Sequence, residues 1–93
     1  MICASANDAA LHDIPGRYRL KDGDLLSIDC GTTLDGWTAN AAISVQIGQP
    51  RLEDTRLIDT ATKALRAGIA AAAPRGRLGD ISAAIDAVGH GAG

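Results

Sequence analysis

The sequence has no phenylalanine, and Tyr18 and Trp37 are its two aromatic residues. Apolar residues make up 46% of the chain, but much of that share is alanine. Alanine buries little surface, and burial is worth only about 25 cal/mol per Å². At 93 residues there is room for one domain at most, and short domains bury a smaller fraction of their surface. A weak core is therefore expected. No apolar run is long enough to span a bilayer, so no membrane partner is expected. No basic patch exists either: the formal net charge is −2. Two aromatics cannot build a base-stacking platform, which argues against nucleic acid as a partner. Cys3 and Cys30 are too few for a disulfide framework. The start, Met1-Ile2-Cys3-Ala4-Ser5-Ala6, has neither the basic nor the apolar part of a secretion signal. A reducing, cytoplasmic setting is the expectation.

What is present falls into two halves. Residues 1–24 read as irregular, with turn signals at Pro15-Gly16 and at Lys21-Asp22-Gly23-Asp24. Leu25-Leu26-Ser27-Ile28-Asp29-Cys30 reads as a short strand. Asp35-Gly36 between apolar segments is a hairpin signal. Ile43, Val45 and Ile47 alternate with Ser44 and Gln46, the pattern of a half-buried strand. After Gly48-Gln49-Pro50 the period changes. Leu57/Ile58, Ala61, Leu65, Ile69 and Ala72 recur at helical spacing. Glu53 and Asp54 lie in the first turn, where acidic groups suit the helix dipole. Pro74 and Gly76 stop this helix. A second helix is expected from about Asp80 to Val88, with Gly89 as its terminator. The order of a hairpin followed by two helices gives an α+β class. One domain over residues 1–93 is expected: loop and hairpin over 1–50, helices over 51–88, and a glycine-rich tail over 89–93.

Four positions carry candidate chemistry. A hairpin turning at Asp35-Gly36 returns residues 40–42 beside Asp29, and cross-strand neighbours share a face. Asp29 and Asn40 could thus offer two oxygens to a divalent cation. The plainer alternative has Asp29 accepting from a backbone donor and Asn40 in a bulge, and the hairpin pattern alone favours it. His12 is either a surface residue or a hydrogen-bonding, proton-transferring group. His90 lies in Gly89-His90-Gly91-Ala92-Gly93, either a mobile tail or a place where backbone approaches a site closely. Cys30, on a strand, reads as a small packing residue.

The pieces also occur in a known order. They are Ile2-Cys3-Ala4-Ser5-Ala6-Asn7-Asp8, His12-Asp13-Ile14-Pro15, Leu20-Lys21-Asp22-Gly23-Asp24, Ile28-Asp29-Cys30-Gly31, Asp35-Gly36-Trp37 and Gly89-His90-Gly91. This order resembles the type I methionine aminopeptidases of the pita-bread metallopeptidase family. The likeness runs without gaps over about residues 2–48, and Arg77-Leu78-Gly79-Asp80-Ile81 resembles the family's next segment. It favours the methionine-specific type over the proline-specific aminopeptidases of the same fold, because of Cys3-x-Ser5-x-Asn7 and His12-x-Ile14-Pro15. It implies a partial pita-bread fold and a hydrolase that removes N-terminal methionine from new polypeptides. It also implies two divalent metal ions, with Co, Mn, Fe and Zn indistinguishable. By the same resemblance, Asp29 falls on the first metal carboxylate, Asn40 on the bridging carboxylate and His90 on a metal-binding histidine. His12 falls on the histidine that contacts substrate near the scissile bond. Cys3 falls beside the pocket for the methionine side chain.

The departures set a second expectation. An aspartate of the family pattern is here Asn40, and a neutral amide offers one good acceptor oxygen. Between Val88 and Gly89 the family carries the rest of a helix and a strand. Its second catalytic histidine and two glutamate ligands fall beyond Gly93. A catalytic metal site needs about three protein ligands, so weak or absent metal binding and little or no peptidase activity are expected of the chain alone. The alternative is a non-catalytic remnant that binds a peptide or a partner chain. An exposed sheet edge could drive such association.

Overall fold

The computed structural model describes residues 1–92 and divides the chain into two compact units, Met1–Asp54 and Thr55–Gly93. The first unit is a three-stranded antiparallel sheet: β1 (Ile2–Ala6), β2 (Leu25–Leu34) and β3 (Trp37–Gln46), in the order β1-β2-β3. The hairpin between β2 and β3 turns where the sequence marks it. Asp35 and Gly36 have φ values of 50° and 81°, the positive pair that a two-residue turn needs to match strand twist. Leu34 pairs with Trp37, and the ladder then runs unbroken to Leu25 against Gln46.

Two features of the sheet differ from the sequence reading. Ile2–Ala6 is a strand rather than irregular chain. It pairs with β2 along its whole length, from Ile2 against Cys30 to Ala6 against Leu26. Its residues are mostly small, so non-local pairing rather than propensity makes it a strand. The hairpin strands are also longer than their apolar patterns. Polar pairs continue them toward the turn, such as Thr33 with Thr38, whose hydroxyls meet at 3.1 Å.

The register separates the sheet into two faces. Residues opposite one another in a ladder point the same way. Cys3, Ser5, Ser27, Asp29, Asn40 and Ser44 therefore share one polar face, with Ser27 and Ser44 hydroxyls 2.9 Å apart. Ala4, Ala6, Leu26, Ile28, Ile43 and Val45 share the apolar one. The core is as thin as composition suggests: among the described residues, Leu26 is the one buried hydrophobic side chain.

The second unit is helical. It takes in most of α1 (Leu52–Ala71) and all of α2 (Leu78–Gly91). Gly68 of α1 is buried, and a Cβ added there would meet Ile85 of α2 at 2.9 Å. The missing side chain thus lets the two helices approach. The α2 start is tied by the Arg77 backbone N–H donating to the Asp80 carboxylate at 2.9 Å, half of a capping box. The helix passes Gly89 and ends at Gly91, so His90 is helical and not part of a tail. Glycine weakens a helix by about 1 kcal/mol but stops it only when it turns left-handed, and Gly89 is not among the positive-φ residues. Among the described residues, no helix is long and apolar enough to cross a membrane.

Candidate functional site

Pairing of β1 with β2 sets Cys3 directly opposite Asp29. On the other side of Asp29 the ladder partner is Ala42, and Asn40 lies opposite Gly31. Asn40 is thus the diagonal neighbour of Asp29 on one face, in a regular ladder with no bulge. The absence of a side chain at Gly31 opens the way between them. A Cβ at Gly31 would stand 3.1 Å from the Asn40 amide nitrogen. Across that gap the Asn40 Nδ2–H donates to Asp29 Oδ1 at 3.4 Å, a long contact for a hydrogen bond.

The segment between β1 and β2 completes the wall. Cys3, His12, Ile14, Asp29, Gly31 and Asn40 line a cleft of about 360 Å³. Four of the five residues singled out from the sequence therefore meet in one place. His90 belongs to the second unit, on the exposed side of α2. Its Nδ1 lies 3.1 Å from Asp86 Oδ1 and 3.1 Å from the Asp86 carbonyl, with both side chains largely in solvent. A larger cavity of about 530 Å³ opens on the apolar side of β1, against Ala4, Ala6, Pro15, Leu20 and Leu26. It includes none of the five residues.

Two groups outside that set anchor the segment between β1 and β2. At the head of β2, Asp24 is only 7% exposed. Its carboxylate accepts from the Lys21 backbone N–H at 2.8 Å, the Tyr18 hydroxyl at 2.8 Å and the Asn7 side-chain amide at 3.1 Å. These donors, led by the Lys21 N–H, hold the Asp24 carboxyl below its ordinary value. The same contact, with burial, raises the Tyr18 phenol. Asn7 also returns its side-chain oxygen to the Leu25 N–H at 3.0 Å. The second group is Ser5, 4% exposed, whose hydroxyl accepts from the Asp13 N–H at 3.2 Å. In the sequence Ser5 stands only as part of Cys3-x-Ser5-x-Asn7, with no role of its own; the two-residue spacing on a strand puts it on the same face as Cys3.

The donor set decides whether a metal fits. Asp29 supplies one carboxylate, and Asn40 turns its N–H, not its oxygen, toward that carboxylate. Among the described residues, no group of three or more His, Cys, Asp or Glu side chains is arranged to hold a metal ion. These residues do not by themselves make a dinuclear site.

Residues 1–93 match the model of metallopeptidase family M24. The chain belongs to that family. It is similar to methionine aminopeptidase 1 of Mycobacterium tuberculosis, with 45% identity over 86 residues, 91% of this chain and 32% of that protein. It is also similar to methionine aminopeptidase 1 of Bacillus subtilis, with 36% identity over 105 residues, 99% of this chain and 42% of that protein. This M24 chain thus spans about a third to two fifths of the length of such relatives. The second match is longer than the 93 residues here, so the relative carries an insertion that this chain lacks. Among solved structures, the methionine aminopeptidase from Rickettsia prowazekii superposes with a TM-score of 0.91 at 34% identity, over 97% of this chain and 36% of that one. The sheet and two helices are a partial pita-bread fold.

Proposed function

We propose that this M24 chain carries the substrate-binding wall of a methionine-aminopeptidase site, whose reaction is hydrolytic removal of N-terminal methionine from new polypeptides. We further propose that the chain alone binds such an end without cleaving it. The observation that carries this reading is the convergence of Cys3, His12, Asp29 and Asn40 on one cleft. Cys3 and Ile14 offer soft, apolar contacts suited to a thioether side chain. His12 faces the same space and can hydrogen-bond the first peptide group. The Asp29 carboxylate can pair with the free α-ammonium of the peptide.

The lack of cleavage rests on Asn40. A carboxylate shared by two cations offers anionic oxygens to both, whereas an amide offers one neutral oxygen. His90, the remaining candidate ligand of the family pattern, is engaged with Asp86 on its own helix. Metal binding is accordingly weak, with Asp29 its main contributor.

The test pairs binding with turnover. The purified chain is titrated with a methionyl-alanyl peptide and with its N-acetylated form, by calorimetry or NMR. Binding of the free amine, weakened by acetylation and by Asp29→Ala, supports the reading. Equal affinity for both peptides would sink it. Methionine release in the presence of Co²⁺ or Mn²⁺, lost in Asp29→Ala, would overturn the claim that the chain does not cleave.

A further inference from the structure

His12 sits in the cleft at an energetic cost. Its φ is 63°, in the left-handed region that side chains with a Cβ rarely adopt. A residue so placed stays there only when its surroundings hold it. His12 is itself exposed, so its own packing supplies little of that restraint.

The restraint comes from the next residue. Both backbone groups of Asp13 are tied to β1. Its carbonyl accepts from the Ala4 N–H at 2.9 Å, and its N–H donates to the Ser5 hydroxyl at 3.2 Å. Ser5 is almost fully buried and faces the same side of the sheet as Cys3 and Asp29. The clamp therefore grips the chain between His12 and Ile14, the two members of this segment that line the cleft. An alternative restraint is distant: the Asn7–Tyr18–Asp24 hydrogen bonds anchor the two ends of the segment, not its middle.

We propose that Ser5 is a positioning residue for His12, holding it in its left-handed conformation at the cleft through Asp13. The assignment deepens the reading of the cleft as a methionyl-peptide site and rests on it for its functional consequence. The Ala4–Asp13 bond alone fixes one point and leaves the peptide plane between His12 and Asp13 free to rotate. The Ser5 hydroxyl acts on the N–H of that plane, so it sets the direction of the His12 backbone. A buried serine with a merely structural role would lower stability when lost and leave a folded variant's histidine where it was.

The experiment uses the full chain in wild-type, Ser5→Ala, Ser5→Thr and His12→Ala forms. In wild type, the Asp13 amide exchanges with solvent slowly relative to the Leu11 amide, and His12 ring protons show contacts to cleft protons of Cys3 or Ile14. In Ser5→Ala the cross-strand contacts between Cys3 and Asp29 persist, Asp13 exchange speeds by about tenfold, and the ring contacts are lost. Affinity for the methionyl-alanyl peptide falls to that of His12→Ala. Ser5→Thr keeps the acceptor and restores all three. Unchanged Asp13 exchange and ring contacts in a folded Ser5→Ala chain overturn the proposal. Should Ser5→Ala fail to fold, Asp13 exchange as fast as that of Leu11 in wild type overturns it equally. If wild type binds no peptide while Asp13 and His12 still respond to Ser5→Ala, the positioning role stands and the peptide reading falls.

Discussion

Two aspartates five residues apart, at the head of β2 and within it, have opposite fates. Asp24 is buried and its carboxylate is fully engaged, by the Lys21 backbone, Tyr18 and Asn7. Asp29 is half-buried at the wall of an open cleft, with one long contact to Asn40. The first carboxylate is committed to holding the chain; the second has unused acceptor capacity. Charge count does not distinguish them. The number and quality of donors do, and an acid with spare lone pairs in a cleft is the one able to meet a ligand.

Removing the committed acid gives the largest effect on the fold. Asp24→Ala leaves the Tyr18 hydroxyl, the Asn7 amide and the Lys21 N–H without their acceptor. The loss of several charge-assisted bonds at once in so thin a core should lower the thermal midpoint by several degrees, or prevent folding. Calorimetry or circular dichroism reads this directly. A midpoint unchanged from wild type would erase the distinction between the two acids.

Acid sensitivity is the next effect. The Asp24 carboxyl titrates below its unfolded counterpart, so folding favours the ionised form. Its stabilisation is complete above the unfolded value, about 3.9, and is lost as pH falls through the lower folded value. Tyr18 has the opposite sign on the alkaline side. Its folded value is raised, so its stabilisation is complete below about 10 and is lost as pH rises through the folded value. Asp24→Asn should therefore flatten the stability curve below about pH 4. An acid limb as steep as that of wild type would show that other carboxylates dominate it.

The contrast can also be shifted by charge. Asn40→Asp places a second carboxylate diagonal to Asp29 across Gly31. Without metal, two like charges at that separation repel, and the chain should be slightly less stable. With Mn²⁺ or Co²⁺ the second oxygen donor should tighten binding by about tenfold, and the thermal midpoint should rise with metal concentration. Titrations of Asn40→Asp and wild type check this. Equal affinities would show that the Asp29–Asn40 diagonal is not a metal-binding geometry.

Legibility in the sequence follows how local each feature is. The β2–β3 turn was plain because Asp35-Gly36 suits two successive positive φ values. The helices were plain because their apolar residues recur at 3.6-residue spacing. β1 was not, because Ile-Cys-Ala-Ser-Ala becomes a strand only through its pairing with residues 26–30. Asp29 and Asn40 were legible as a pair from the hairpin, although the register makes them diagonal rather than opposite. The role of Ser5 was not, although the residue stands in Cys3-x-Ser5-x-Asn7, since its partner Asp13 lies eight residues away in an irregular segment. His90 was visible as a residue, but the helix carrying it outran the glycine read as its end.

The smallest effect expected on stability comes from the uncommitted acid. Asp29→Ala removes a half-buried carboxylate whose one hydrogen bond among the described residues, from Asn40, is 3.4 Å long. The partner left behind, Asn40, is exposed and can turn its amide to water. No buried donor is orphaned, so the change in unfolding free energy should stay within about 0.5 kcal/mol. The same substitution should abolish discrimination between the free and acetylated methionyl peptides, because it deletes the anion proposed to pair with the ammonium. That split separates the two aspartates more sharply than either measurement alone. On that reading Asp24→Ala should cost the fold and, through it, everything else, whereas Asp29→Ala should spare the fold and cost only recognition. A large loss of stability in Asp29→Ala, seen by urea unfolding, would mean that Asp29 is committed to the sheet as Asp24 is to the loop. The cleft would then lose its best claim to an open ligand position.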